Sequence, residues 1–251
     1  MNNLQIIEQE KSVLRWGGLS GMAGVILFLV AIVAAMVLVG DDPPTLAETV
    51  TRFPEVKMFR VVENLSYLLG LVLQVPLFLA LYRALRKTSL APALFGSALG
   101  ILGLCALVVS TTPHVAHARL ADLYNAPGAT PADQATIALM WQVVWGMIDV
   151  MVYIGFFVIP FGLFALGAAM LSAPAFGKGY GWLTMVLGAI GFAAALYQMV
   201  DTASMAAFGS YLAYIVFYLV LGWKLYSLSR APSEVLENQM VQPPSIAAMP
   251  S

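Results

Sequence analysis

Charge is scarce in this sequence: Lys, Arg, Asp and Glu together supply 10% of 251 residues, against about 25% in an ordinary soluble domain. So few charges cannot build a water-facing surface. The formal net charge is -1, and no segment is dense in Lys or Arg, so the chain carries no electrostatic footprint for nucleic acid. A single cysteine, Cys105, excludes an intrachain disulfide and a cysteine-rich metal cluster. Within its apolar run it reads as a small buried packing residue. No Walker loop, nucleophile elbow, HExxH or Gly-rich dinucleotide fingerprint occurs. No cofactor is therefore expected, and the reading leans away from an enzyme.

What the chain has is apolar length. Hydrophobic residues make up 61% of it, gathered in runs near or above the roughly 20 residues that a helix needs to cross about 30 Å of hydrocarbon. Six spans are predicted, at residues 16–40, 59–85, 93–112, 139–171, 181–200 and 207–228. The class is therefore an all-α polytopic membrane helix bundle, with residues 1–15 as an N-terminal segment, 16–229 as the transmembrane domain and 230–251 as a disordered tail. The first run is too long for a signal h-region and lacks a small-residue cleavage pattern after it, so it reads as a retained helix. The fourth run, about 33 residues, must tilt, protrude or bend at Pro160.

Orientation rests on Lys and Arg, which stay preferentially on the cytoplasmic side of short loops. With the N-terminus inside, the inner side collects Lys11, Arg15, Arg83, Arg86, Lys87, Lys178, Lys224 and Arg230, and the outer side Arg52, Lys57, Arg60 and Arg119. Both termini are thus expected in the cytoplasm, in a bacterial inner membrane. Thr45 and Glu48 have capping-box spacing, and Pro54 is expected to end a short interfacial helix after them. Thr112-Pro113 and Thr130-Pro131 each place a cap before a proline at a helix start, which leaves residues 125–129 as loop. Glycines at helical spacing, among them Gly17, Gly21, Gly24, Gly96, Gly100 and Gly103, predict faces on which helix backbones approach closely. A faint repeat relates Val75-Pro76-Leu77-Phe78 to Ile159-Pro160-Phe161-Gly162, which would match spans two and three to four and five.

Polar residues inside lipid carry the functional reading, because an Asp at a helix centre costs about 2.5 to 3.5 kcal/mol to insert. Asp149, counted from residue 139, falls near the midplane, and Gln142, Trp145, Asp149 and Tyr153 share a helix face. A second stripe holds Arg60, Glu63, Asn64, Tyr67 and Gln74. Gln198 and Asp201 close span five on the same outer side, and Tyr211, Tyr214 and Tyr218 run along span six as packing residues. Glu63, Asn64, Gln74, Gln142, Asp149, Tyr153, Gln198 and Asp201 are therefore the expected lining of a polar pocket open to the outer side. His114, His117 and Asp122, at helical spacing, are a candidate surface metal site that lacks a firm third ligand.

Two functions fit this pattern. The first is binding or transport of a small solute or ion at the outer pocket. The alternative is an accessory or structural subunit, whose glycine faces and outer loops meet a membrane-protein partner or a second copy.

The segments Val62-Glu63-Asn64-Leu65, Pro76-Leu77-Phe78-Leu79-Ala80-Leu81-Tyr82-Arg83-Ala84-Leu85-Arg86-Lys87 and Phe176-Gly177-Lys178-Gly179-Tyr180-Gly181-Trp182-Leu183 resemble bacterial multi-helix integral membrane proteins catalogued only as a domain of unknown function. The resemblance covers about residues 15–230. It implies a second helix opened by an acidic residue, here Glu63, and it implies no activity.

Overall fold

The computed structural model describes residues 3–41, 43–201 and 206–232. Most of the predicted tail, residues 233–251, lies outside them. The chain is 88% helical with no strand among the described residues, and six helical units are long and apolar enough to cross a membrane. In chain order the elements are α1 (Asn3–Val33, continued as a π-helical turn over Ala34–Val39), α2 (Leu46–Val72), α3 (Gln74–Leu85), α4 (Leu90–Thr111), α5 (His114–Tyr124), α6 (Pro131–Leu171), α7 (Gly177–Val200) and α8 (Ala206–Ser229). The ends of α1 and α8 lie on one face of the bundle, the terminal side. The connections holding α5 lie on the opposite face, the α5 side.

Glycine sets the packing. A methyl group added at Gly162 would come within 2.7 Å of the Gly96 carbonyl oxygen and 2.8 Å of the Gly100 nitrogen, and one at Gly103 within 3.1 Å of the Gly155 oxygen. α4 and α6 therefore meet backbone to backbone, where only hydrogen fits between them. α1 makes similar approaches, with Gly24 facing the Gly70 carbonyl and Gly18 facing Gly222. Close approach of this kind gains dispersion contacts where lipid offers no hydrophobic drive for helix association. α6 lies between α4 and α7, while α8 closes the bundle against α1 and α7. The helix pairs proposed as repeats, α3 with α4 and α6 with α7, do pack as neighbours on either side of short terminal-side turns. Toward that side the interior is sealed by fully buried apolar side chains, including Leu77, Leu81, Leu85, Leu163 and Leu166.

Three prolines lie within or beside the long helices, and one of them departs from expectation. Pro54 does not end a short helix, because α2 runs through it. Proline has no N–H to return to the carbonyl four residues back, so the Val50 carbonyl loses its helical donor, and the Asn125 side-chain amide donates to the Val50 oxygen at 3.4 Å instead. Pro160 likewise lies within an unbroken α6, and the Tyr214 hydroxyl donates to the vacated Phe156 oxygen at 2.9 Å. Only Pro76 marks a break, between α2 and α3 at Leu73, where Ser20 donates to the Leu73 oxygen at 2.5 Å.

The helix starts divide in the same way. Thr130 forms a full capping box with Asp133 ahead of Pro131, and the Glu48 N–H donates to Thr45 at the start of α2. Thr112 does not cap α5. Its hydroxyl turns back to the Val109 oxygen at 2.8 Å, and the helix begins one residue after Pro113 without a side-chain cap. Cys105 also departs from expectation, since it is exposed on the outer surface of α4 rather than buried. The α4 face that packs is the glycine face, and Cys105 lies off it.

Length gives the bundle an uneven height. α4, with 22 residues, is about 33 Å long, whereas α6, with 41 residues, is about 60 Å. α2 and α3 together are equally tall. The excess rises on the α5 side, where the first turns of α2 and α6 join α5 around a second, small core of Val50, Leu120, Ala121, Ile137 and Trp141. What the sequence presented as two separate outer loop helices and two spans is thus a pair of tall helices with α5 packed between them.

Candidate functional site

Between the upper half of α2, the start of α5 and the middle of α6 lies a cleft of about 660 Å3. It exists because the short α4 ends at Thr111 while α2 and α6 continue, so no transmembrane neighbour fills the space between them. Thr111 and Asp149 both line it. Gly103 and Leu107 of α4 face Gly155 of α6, and one further turn brings Thr111 roughly level with residues 148–151.

That register corrects the expected depth of Asp149. The helix begins at Pro131 rather than near residue 139, so its first turns stand above the α4 end. A hydrocarbon layer of about 30 Å laid upward from the terminal end of α3 at Leu85 takes up about 20 residues and ends near Leu65. Asp149, level with the last residue of α4, falls at the upper boundary of a layer so placed and not at its centre. Its side chain is half-buried, faces the cleft, and forms no hydrogen bond or ion pair among the described residues.

The candidate lining separates into groups. Asn64, Gln142 and Asp149 face the cleft together, joined by His114 and His117. Glu63 lies beside the cleft and engages Arg60, whose Nη1 donates to Oε2 at 3.0 Å. Tyr153, one turn beyond Asp149, does not line it. Gln74 is fully buried away from it, donating to the Gly21 oxygen at 3.2 Å. The helix break at Leu73 separates Gln74 from the α2 face that carries Asn64, and it meets α1 instead. Gln198 and Asp201 at the far end of α7 take no part, because α7 packs behind α6 and not across the cleft.

Asp122 is drawn away from the two histidines by Lys57, whose Nζ lies 3.6 Å from its Oδ1. His117 is buried and stacked on Trp141, with ring centroids 4.1 Å apart, and His114 stands edge-on to Trp145 at 5.9 Å. The histidines therefore form an aromatic wall with α6. Among the described residues no group of three His, Cys, Asp or Glu side chains is placed to hold a metal ion.

Sequence reasoning missed the basic side of the cleft. Arg52, Lys57 and Arg60 all line it from α2. Arg52 also closes the end of the π-helical turn by donating to the Val39 oxygen and, at 2.7 Å, to the Asp41 oxygen, as cations do at the negative end of a helix. The spacing 49, 53, 56, 60, 64 on one helix face was readable, but only if α2 was taken to run through Pro54. The resulting wall is positive on α2 and negative at Asp149 on α6, with Trp145 one turn from Asp149 on the same wall.

Compared with known protein families, with curated proteins and with solved structures, the chain matches none.

Proposed function

We propose that this protein binds a small polar or charged solute in the α5-side cleft, and that this side faces away from the cytoplasm of a bacterial inner membrane. The observation that carries the reading is Asp149, a carboxylate in a cleft of about 660 Å3 without a partner among the described residues. A half-buried carboxylate at the edge of a membrane is costly to leave unpaired, and a ligand group that donates hydrogen bonds to it offsets that cost. The volume is in the range of small-molecule sites, roughly 300 to 1,000 Å3. The apolar plug below the cleft closes it toward the terminal side, and binding with or without transport fits this geometry.

The test is mass spectrometry of the protein released from its native membrane, comparing wild type with Asp149→Asn. A non-protein molecule held one-to-one by wild type and lost from a folded Asp149→Asn variant is the expected result. Equal occupancy in both, or none in either, removes the reading.

A second reading, an accessory subunit, is favoured by the apolar side chains that α2 and α6 expose beside and above the cleft, including Met58 at 71% and Leu139 at 62%. A stoichiometric protein partner retained in mild detergent and lost in Met58→Ser with Leu139→Ser supports it. A lone monodisperse chain counts against it.

A further inference from the structure

The two walls of the cleft differ in charge, and the difference points to a class of ligand. α2 presents Arg52, Lys57 and Arg60, while α6 presents Asp149. A simple anion is served by the first wall and repelled by Asp149. A simple cation meets the reverse. A ligand bearing both charges a few ångströms apart satisfies both walls together.

The position of the cleft narrows the choice further. It straddles the level at which α4 ends, so its upper part is polar while Val61, Leu65 and Leu68 continue the α2 wall downward into the hydrocarbon layer. Leu65, at the boundary of that layer, is 52% exposed, so the lower cleft is reachable sideways from lipid. Charge above and an apolar slot below is the profile of a phospholipid. Guanidinium forks and an ammonium suit a phosphodiester, and a carboxylate with an indole one turn away suits a primary ammonium.

We propose that the cleft takes the headgroup of an amine-bearing phospholipid, with its phosphodiester against Lys57 and Arg60 and its ammonium against Asp149. This rests on the cleft being a binding site, and specifies its occupant. Arg60 is engaged by Glu63 and Lys57 by Asp122. The Lys57 pair is long and half-exposed, which makes it a weak tie that a phosphate displaces readily. Arg52 keeps its place by donating to backbone carbonyls, and its charge is met there by dipoles rather than by a carboxylate.

The experiment is native mass spectrometry of the purified full chain titrated with phosphatidylethanolamine, phosphatidylcholine, phosphatidylglycerol and soluble phosphoethanolamine. Expected is one-to-one binding of phosphatidylethanolamine about tenfold tighter than the other three, since phosphatidylcholine has no N–H to donate and phosphatidylglycerol no cation. Asp149→Asn should bring phosphatidylethanolamine down to the level of phosphatidylglycerol, and Lys57→Gln should weaken both lipids alike. Folding of each variant is checked by its melting temperature. Equal affinity for phosphatidylethanolamine and either other lipid, or an unchanged preference in folded Asp149→Asn, overturns the proposal. Binding of soluble phosphoethanolamine as tight as that of the lipid overturns the lipid assignment and leaves the solute-binding reading standing. Failure of all four probes overturns the proposal, and the broader reading then falls only if no Asp149-dependent molecule leaves the native membrane with the protein.

Discussion

The Tyr214 hydroxyl donates at 2.9 Å to the carbonyl of Phe156, the acceptor that Pro160 deprives of its helical partner. The same relationship recurs at the other end of the molecule, where Asn125 donates to the Val50 carbonyl orphaned by Pro54. In both cases a side chain from a different helix supplies the N–H or O–H that proline lacks. Each proline thereby becomes a point of attachment between helices, α6 to α8 and α2 to the end of α5, and neither helix breaks.

Tyr214→Phe tests this coupling. It leaves a buried carbonyl without a donor, and interhelical hydrogen bonds in membranes are worth on average about 0.6 kcal/mol and up to about 1.7. A loss of about 1 kcal/mol is expected on unfolding in detergent. In a Pro160→Ala background the residue-160 N–H returns to Phe156, and the cost of Tyr214→Phe should shrink toward zero. An undiminished cost in that double-mutant cycle would show that Tyr214 acts through packing alone.

Legibility in the sequence followed physical range. The number and identity of the six crossings were readable because each is a local property of about 20 residues. The glycine faces were readable as faces, but not as pairs, since Gly96 and Gly162 are separate stretches of chain until α4 meets α6. Pro54 was misread because Asn125, which serves the orphaned Val50 carbonyl, lies 75 residues from Val50. Asp149 was noticed correctly as an acid in an apolar run. Its depth was not legible, because depth depends on where the neighbouring α4 ends. The basic wall of the cleft went unseen for the same reason as Pro54, since Arg52 joins the face of Arg60 only along an unbroken helix.

Substitutions at the glycine contacts should divide sharply. A Cβ at Gly162 meets the backbone of Gly96 and Gly100 at 2.7 and 2.8 Å, and backbone cannot turn aside. Gly162→Ala is expected to destabilise by about 3 kcal/mol or more, seen as loss of the monodisperse peak in size-exclusion chromatography. Gly179, in the first turn of α7, has nothing within 4 Å of its Cβ position. Gly179→Ala should be neutral or stabilise by up to about 1 kcal/mol, through reduced freedom of the unfolded chain. Similar tolerance at both positions would contradict the close α4–α6 approach.

On the terminal side, α1 is fastened to α3 by Glu10, a 6% exposed carboxylate. Arg83 Nε donates to Glu10 Oε2 at 2.7 Å, its Nη2 pairs with Oε1, and Arg86 lies within 4.0 Å. Glu10→Gln removes the negative charge and leaves two guanidinium groups facing each other. Breaking a fully buried pair costs about 3 to 5 kcal/mol, but both arginines are about a third exposed, so screening reduces the expected loss to about 1 to 3 kcal/mol. Thermal unfolding in detergent reads it. An unchanged midpoint would show that α1 is held by its glycine face alone.

The height of α6 above α4 decides where Asp149 sits, and cysteine labelling measures it. Native Cys105 lies on the exposed face of α4, six residues or about 9 Å below its end at Thr111, within hydrocarbon that a charged, membrane-impermeant maleimide does not enter. Met140 is 52% exposed and nine residues, about 13 Å, above Asp149. A membrane-impermeant maleimide should therefore label Met140→Cys in opened vesicles and leave the wild-type chain unmodified. Labelling of Met140→Cys in intact cells would in addition place the α5 side outside, as the distribution of Lys and Arg predicts. If Met140→Cys resists the reagent even in opened vesicles, the hydrocarbon layer reaches that turn. Asp149 then lies deep in the membrane, where a phospholipid headgroup could not follow it.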